Sequence, residues 1–216
     1  MKAIDKRKSV KKNYDLIANK YCLEYGTILL DDDIINKFES LLNDNSLIVD
    51  LGGGSGKLTN YFINKNHMAV CYDFSREMMK NALKMFPGIS YVLDDIVNIR
   101  SHFDDNSIDG VIAMYSLFHI PREELKNTIN DIYCILKDNG IFCLSLQLGD
   151  NEKFVDEPYL KDNGKKVLYI NSLNEREIYD LLKDFDIISS YQKREIGDSV
   201  IGEDGNDAIY IICQKK

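Results

Sequence analysis

The sequence predicts an α/β protein with a Rossmann-like, seven-stranded and mostly parallel sheet, helices on both faces and an N-terminal helical cap. Three observations support this fold class. Short apolar segments rich in β-branched residues alternate with segments of helical periodicity from residue 46 onward. A glycine-rich stretch joins the first apolar segment to the helical segment that follows it. The last two apolar segments have no helical pattern between them, so we expect the last strand to be antiparallel.

The N-terminal cap is predicted over residues 1–45, before the first strand. It contains two helical patterns, "NYDLIANKYC" and "DDDIINKFESLL". The basic run from Lys2 to Lys12 precedes them, and such a run is typical of a solvated, frayed tail.

The core is predicted over residues 46–216. Its strands, in chain order, are "SLIVDL", "HMAVCYD", "ISYVLDD", "SIDGVIAMYS", "GIFCLSLQL", "DIISSYQKREI" and "AIYIICQKK". Helices are predicted between them, with Ser75 as an N-cap and Pro121 in a first turn. A polar excursion at about residues 147–172 is too long for an ordinary connection, so we expect a lid or a flexible loop there.

Composition excludes several classes of protein. A net charge of −8 and a pI near 5.0 argue against a protein that binds nucleic acid by neutralising phosphates. No apolar run approaches the roughly 18 residues of a membrane span, and the N-terminus lacks the apolar segment of a secretory signal. No histidine stands at metal-ligand spacing from another His or Cys, so no metal site is expected. We expect a cytoplasmic monomer or homodimer.

The stretch "LIVDLGGGSGKLTNYF", residues 47–62, fits neither common phosphate-binding motif. A Walker A loop needs GxxxxGK followed by Ser or Thr, but Leu51 stands at the first glycine position and Leu58 follows the lysine. A dinucleotide fingerprint needs GxGxxG, and either glycine register places Lys57 or Thr59 at its last position. An NAD site therefore has little support.

The spacing Asp50-x-Gly52-x-Gly54-x-Gly56 at a strand-to-helix turn resembles the first motif of the class I S-adenosylmethionine (SAM)-dependent methyltransferases. The resemblance implies that the amino acid moiety of SAM lies over the glycines and that the acid interacts with its ammonium group. Glycine allows this close approach because it has no Cβ. A tight turn without a ligand remains the alternative reading of these glycines.

Acidic residues at the ends of the next two predicted strands extend the resemblance. Asp73 stands about 20 residues after the glycines, where the family binds both ribose hydroxyls, and Phe74 would lie against the adenine. Asp95 and Ile96 would bind the adenine through the carboxylate and the backbone N–H, with Asp94 as the alternative acid.

The segment "FDDNSIDGVIAMYSLFHIPREEL" resembles the family's fourth strand and its "LHH"-type ending. His119 matches the last histidine, Phe118 replaces the first, and Met114 would contact the cofactor at the end of the strand. The opening "NYDLIANKY" resembles the family's "YD.iA..Y", which implies that Tyr14 and Tyr21 lie near the methionine end of SAM.

His119 and Tyr14 are the candidate catalytic residues, with a structural hydrogen bond and cap packing as their alternative roles.

The sequence thus predicts an enzyme that transfers a methyl group from SAM to an O, N or C atom of a small molecule and leaves S-adenosylhomocysteine. The (D/N)PPY signature of amino methylation and a Pro-Cys nucleophile are both absent. Two alternatives are kept: a SAM-binding sensor or assembly protein without transferase activity, and an RNA methyltransferase that uses the basic N-terminus.

Overall fold

The structure is a computed structural model that describes residues 1–29, 31–156, 166–195 and 206–216. The helices among these residues are α1 (Ala3–Tyr25), α2 (Asp32–Ser40), α3 (Lys57–Asn64), α4 (Arg76–Met85), α5 (Arg122–Ile135) and α6 (Glu175–Leu181). The strands are β1 (Leu47–Leu51), β2 (Met68–Asp73), β3 (Ser90–Leu93), β4 (Ile108–Ala113), β5 (Leu136–Leu148), β6 (Glu152–Asp156), β7 (Lys166–Leu173), β8 (Phe185–Glu195) and β9 (Asn206–Lys215).

The sheet confirms the predicted fold class. Five parallel strands lie in the order β3-β2-β1-β4-β5. Beyond β5, strand β9 pairs with it in the antiparallel sense, from Ile141 opposite Gln214 to Gln147 opposite Ala208, and β8 pairs antiparallel with β9. These seven strands correspond to the seven predicted from the apolar segments.

Two further strands lie in the polar excursion after β5. Strands β6 and β7 form an antiparallel pair there, and β7 also continues the sheet by pairing with the end of β5 at Gln147 and Leu148. The predicted lid or loop at about 147–172 is thus largely β-structure where the structure describes it. Polar residues dominate the composition of this excursion, yet residues 168–173 are all buried, Asn171 and Ser172 included, so composition alone did not indicate a strand there. Residues 157–165 of this excursion lie outside the described residues, as do residues 196–205 between β8 and β9.

Both faces of the sheet are covered, as a parallel sheet requires. Along β1, Val49 and Leu51 pack with α5 and α6 on one face, whereas Ile48 packs with α2 and α3 on the other. Asp50 alternates with them and therefore points to the face of α2 and α3. This register places the carboxylate beneath the N-terminus of α3.

Helix α1 forms a roof over the carboxyl edge of the sheet, between α4 and β7. The basic run was predicted to be a frayed tail, and this prediction is wrong: α1 begins at Ala3 and includes the run. The run is held because Lys6 pairs with Glu152 and Lys11 with Asp15, both at 3.0 Å. Each helix in the described part of the chain is too short or too polar to cross a bilayer.

Candidate active site

A cavity of about 350 Å³ opens at the carboxyl ends of β1, β2, β3 and β4, beneath α1. Open α/β sheets bind ligands at this edge. Eleven of the twelve residues predicted from the sequence to form the site line the cavity: Tyr14, Tyr21, Asp50, Gly52, Gly54, Asp73, Phe74, Asp95, Ile96, Met114 and His119. Gly56 does not line it. A Cβ at Gly56 would lie 2.5 Å from Ile89, so this glycine is required by packing between α3 and the end of α4.

The backbone amides of the glycine turn are directed into the protein. The N–H groups of Gly52 and Gly53 donate to the carbonyl of Tyr72 at 2.7 and 3.2 Å, and Gly54 N–H donates to Asp73 at 3.0 Å. A phosphate-binding turn instead points such amides at its ligand. The turn is therefore poorly suited to hold a phosphate or a pyrophosphate.

The glycines differ in what surrounds the position of a missing side chain. A Cβ on Gly52 would lie 2.3 Å from Ser116 Cβ, and a Cβ on Gly53 would lie 2.6 Å from Cys71 Sγ. A Cβ on Gly54 would meet only the Gly52 carbonyl, at 4.0 Å. Gly54 is thus the glycine of this turn that leaves space for a ligand, and its φ of +50° also favours glycine.

Asp50 is buried at the floor of the cavity. Its Oδ2 accepts hydrogen bonds from the backbone N–H and the hydroxyl of Thr59, at 3.0 and 2.8 Å, and so caps the first turn of α3. Burial raises the pKa of Asp50 to about 6, against these stabilising bonds. No bond to Oδ1 is formed among the described residues, which leaves that oxygen as an acceptor beside the cavity.

Asp73 connects the glycine turn to α4. Its Oδ2 accepts from Gly54 N–H at 3.0 Å and its Oδ1 accepts from Ser75 N–H at 2.8 Å. Burial raises the pKa of Asp73 to about 6, and the nearby Asp50 and Asp15 act in the same direction. A buried carboxylate that is raised in pKa and faces a cleft is typical of a functional position.

The structure separates the two adjacent aspartates after β3. Asp95 lines the cavity, whereas Asp94 turns away from it and accepts from His102 Nε2 at 2.8 Å and from Asn98 at 3.0 Å. Arg7 of α1 forms an ion pair with Asp95 and holds Glu124 with two further nitrogens at 2.7 and 3.2 Å. The sequence did not indicate this role for Arg7, although helical periodicity extended through the basic run would have placed it in α1.

His119 and Tyr14 meet across the cavity. His119 Nδ1 lies 2.8 Å from the backbone carbonyl of Tyr169, which can only accept, so Nδ1 carries the proton. Burial lowers the pKa of His119 to about 4, so the ring is neutral at pH 7 and Nε2 has a lone pair. The Tyr14 hydroxyl lies 2.9 Å from Nε2 and therefore donates to it.

A second cluster of polar side chains, which the sequence did not indicate, also lines the cavity. The Tyr115 hydroxyl contacts the carboxylate of Asp31 and lies 2.7 Å from the hydroxyl of Tyr210. Lys193 donates to the other oxygen of Asp31 at 2.7 Å. Asp31 and Tyr115 have φ values of 60° and 57°, which are unusual for residues with side chains. Positive φ leaves no signal in the sequence at an aspartate or a tyrosine.

Comparisons with known proteins agree with this architecture. The family model of the methyltransferase domain matches residues 48–140. An uncharacterized methyltransferase of Oceanobacillus iheyensis is 23% identical over 180 residues, which cover 82% of this chain and 81% of that protein.

Two solved structures share the fold. A SAM-dependent methyltransferase of Methanosarcina mazei aligns with a TM-score of 0.72 at 18% identity, covering 87% of this chain and 98% of the other. The 1,6-didemethyltoxoflavin-N1-methyltransferase of Burkholderia thailandensis, solved with 1,6-didemethyltoxoflavin and S-adenosylhomocysteine, aligns with a TM-score of 0.69 at 15% identity, covering 100% and 91%.

The matched domain begins in β1 and ends within β5, so it contains Asp50 in β1, Asp73 at the end of β2 and Asp95 after β3. The strand order and the position of the cavity agree with that match. The chain thus contains a region similar to the methyltransferase domain and has the fold of the SAM-dependent methyltransferases.

Proposed function

We propose that the cavity binds SAM and that the protein, acting in the cytoplasm, transfers the methyl group to an O, N or C atom of a small molecule. One observation carries the proposal. Three carboxylates from the ends of successive strands, Asp50, Asp73 and Asp95, line a single cavity in which Gly54 leaves open space. This arrangement suits a ligand with an ammonium group, a ribose and an adenine along its length.

The residues of the cavity fit SAM in a definite orientation. Oδ1 of Asp50 is positioned to accept from the ammonium group, and Gly54 would admit the amino acid moiety. Asp73 would accept from the ribose hydroxyls, because it lines the cavity and each of its oxygens has a second lone pair beside its bond to a backbone N–H. Asp95 and Ile96 would bind the adenine, with Phe74 against the ring; Met114 and Tyr21 complete the cavity wall.

When bound, SAM supplies an electrophilic methyl group for an in-line displacement. The chain's contribution is to align the acceptor and to exclude water, for which the roof formed by α1 is suited. Tyr14 lines the cavity and donates its proton to His119, so its oxygen is placed to accept a hydrogen bond from the nucleophilic O–H or N–H group of the substrate. His119 thus acts as a positioning residue for Tyr14 in this proposal.

The RNA methyltransferase alternative is less well supported. Its phosphate contacts would need the six basic residues from Lys2 to Lys12, but three of them, Lys6, Arg7 and Lys11, are engaged with carboxylates of the same chain. Neutralisation of phosphates requires cations that are available at the surface. A SAM-binding sensor without transferase activity has the same cavity, and only a turnover experiment separates it from an enzyme.

Calorimetric titration of the purified protein with SAM, S-adenosylhomocysteine and NAD tests the cofactor. Binding of the first two at micromolar concentration, without NAD, is the expected result. Binding of NAD alone, or of none of the three, would contradict the proposal. Incubation with methyl-labelled SAM and fractionated small metabolites then tests transfer; label in a small molecule supports an enzyme, and label in no fraction despite tight binding supports a sensor.

A further inference from the structure

Lys57, the first residue of α3, has an ammonium group with few partners. Its side chain lines the cavity beside the glycine turn, and Nζ donates a single hydrogen bond to the carbonyl of Tyr25 at 3.2 Å. An ammonium group has three donors. Within the described residues, no other hydrogen bond or ion pair uses the remaining two.

Two other cations that line the cavity have direct ion-pair partners, whereas Lys57 has none among the described residues. Arg7 is held by Asp95 and Glu124, and Lys193 is held by Asp31 at 2.7 Å. Lys57 interacts with Asp50 and Asp31 only through space, and burial lowers its pKa. A partly buried ammonium group that lacks a direct counter-ion is well suited to bind an anionic group of a ligand.

Lys57 and Asp50 lie on the two sides of the same turn and carry opposite charges. Asp50 lies near the end of β1, just before the turn, and its Oδ1 is beside the cavity. Lys57 comes directly after the last glycine of the turn and begins α3. An α-amino acid presents an ammonium and a carboxylate on one carbon, and such a zwitterion requires an acid and a base in close proximity. The pair Asp50 and Lys57 provides both beside the open space at Gly54.

We propose that Lys57 binds the α-carboxylate of the methionine moiety of the cofactor and makes the site selective for ligands that carry this carboxylate. The inference rests on the proposed function, because it assumes that the amino acid moiety lies over the glycine turn. It adds a specificity-determining residue that the glycine motif itself does not contain.

The test compares two ligands by calorimetry. S-adenosylhomocysteine carries the carboxylate, and 5′-deoxy-5′-(3-aminopropylthio)adenosine is the same molecule without it. Wild-type protein is expected to bind S-adenosylhomocysteine about 10- to 100-fold more tightly, the range of a charge-assisted hydrogen bond. Lys57→Met is expected to lose this preference through weaker binding of S-adenosylhomocysteine, with the affinity for the decarboxylated ligand kept within about twofold. Lys57→Arg is expected to retain part of it.

Lys65→Met is the matched control, because Lys65 is an exposed lysine at the end of the same helix and changes the net charge equally. It should leave the preference intact. Equal affinity of the wild-type protein for the two ligands would overturn the inference without a variant and would leave SAM binding in place. An equal loss of both ligands in Lys57→Met would also overturn it. If the wild-type protein binds neither ligand, the proposed function fails and this inference with it.

Discussion

Arg7, in the second turn of α1, forms an ion pair with Asp95 at the end of the third strand. Its remaining nitrogens hold both oxygens of Glu124 at the start of α5. One side chain near the N-terminus thereby fastens the roof of the cavity to two elements of the core. The Arg7 side chain is 12% exposed, so these interactions are partly shielded from solvent.

Replacement of Arg7 is expected to destabilise the protein. Arg7→Met would leave the carboxylates of Asp95 and Glu124 partly buried without a counter-ion, and we expect the free energy of unfolding to fall by about 1–3 kcal/mol. Urea denaturation measures this change. Lys8→Met removes the same charge from an exposed position in α1 and should cost much less. Similar losses in the two variants would show that the ion pair contributes nothing.

Removal of single carboxylates is expected to identify those that bind the cofactor. Asp73→Ala and Asp95→Ala should each weaken SAM binding by about 1.5–3 kcal/mol, because each loses a charge-assisted hydrogen bond. Asp94→Ala is the control, since Asp94 faces His102 and not the cavity. Calorimetry on folded variants gives the affinities. A loss at Asp94 equal to that at Asp95 would mean that the orientation of the two side chains changes on binding.

Two glycines of the same turn are expected to respond differently to alanine. Gly54→Ala should fold with a loss of about 1–2 kcal/mol from the positive φ, and bind SAM roughly tenfold less tightly or worse, because the methyl group enters the ligand space. Gly52→Ala should lose more stability, since its Cβ would collide with Ser116. Thermal unfolding and titration separate the two effects. Wild-type affinity in Gly54→Ala would show that the ligand does not approach this turn.

Loss of the Tyr14 hydroxyl is expected to affect turnover more than binding. Tyr14→Phe should lower the rate of methyl transfer by roughly 100-fold or more while the affinity for S-adenosylhomocysteine changes little. The wild-type rate should show no inflection near pH 6.5 from His119, because its pKa is about 4. Transfer of labelled methyl to an identified acceptor measures the rate. Tyr61→Phe is the control, with a hydroxyl bonded to Asn36 on another face; an equal effect there would refute the role of Tyr14.

Cofactor binding is expected to weaken below about pH 6, the pKa to which burial raises Asp50 and Asp73 in the ligand-free protein. The ammonium and hydroxyl groups of the cofactor donate to ionised carboxylates. A carboxyl group that is protonated at low pH must therefore release its proton when the cofactor binds. The dissociation constant should be lowest near pH 7 and rise by up to tenfold per pH unit for each carboxyl below about pH 6. Calorimetry over this range measures it, and unchanged affinity at about pH 5 would contradict the assignment.

The same two pKa values have the opposite effect on folding. Both folded-state values exceed the ordinary value of 3.8, so the folded state holds more protons than the unfolded state between about pH 4 and 6. These groups therefore stabilise the protein at the lower end of this window, and their contribution falls as the pH rises through it. As the pH rises from about 4 to 7, the free energy of unfolding of Asp73→Asn should therefore increase relative to that of the wild-type protein. Urea denaturation at each pH measures this difference.

Much of the fold could be predicted because, along the core, the hydrophobic periodicity of each segment agrees with the turn and capping residues at its ends. The apolar run before Asp50, the glycines after it and the N-cap at Ser75 each indicate one local structure, and the structure contains all three. The fifth strand was predicted to begin at Gly140 but begins at Leu136, because Asn139 adopts a positive φ that lets the chain bulge within the strand.

The remainder depends on tertiary contacts. Adjacent aspartates after β3 have the same local pattern, and only the positions of His102 and Arg7 decide which of them faces the cavity. Likewise, the pairing of β7 with the end of β5 joins residues that are 25 apart in the chain, such as Gln147 and Ser172. A pattern read over a few residues contains no information about such partners.

The proton on His119 is held in place by a backbone carbonyl, and this has a consequence for sequence change. Any amino acid at position 169 provides the same oxygen, so substitutions there would preserve the tautomer. A one-residue shift of β7 against β6 would remove this hydrogen bond to His119, because the carbonyl of the next residue in the strand points the other way. At position 169, homologues should therefore tolerate substitution more readily than an insertion or deletion that shifts β7. A change of length in this strand should alter the proton balance of the site without changing a side chain in the cavity.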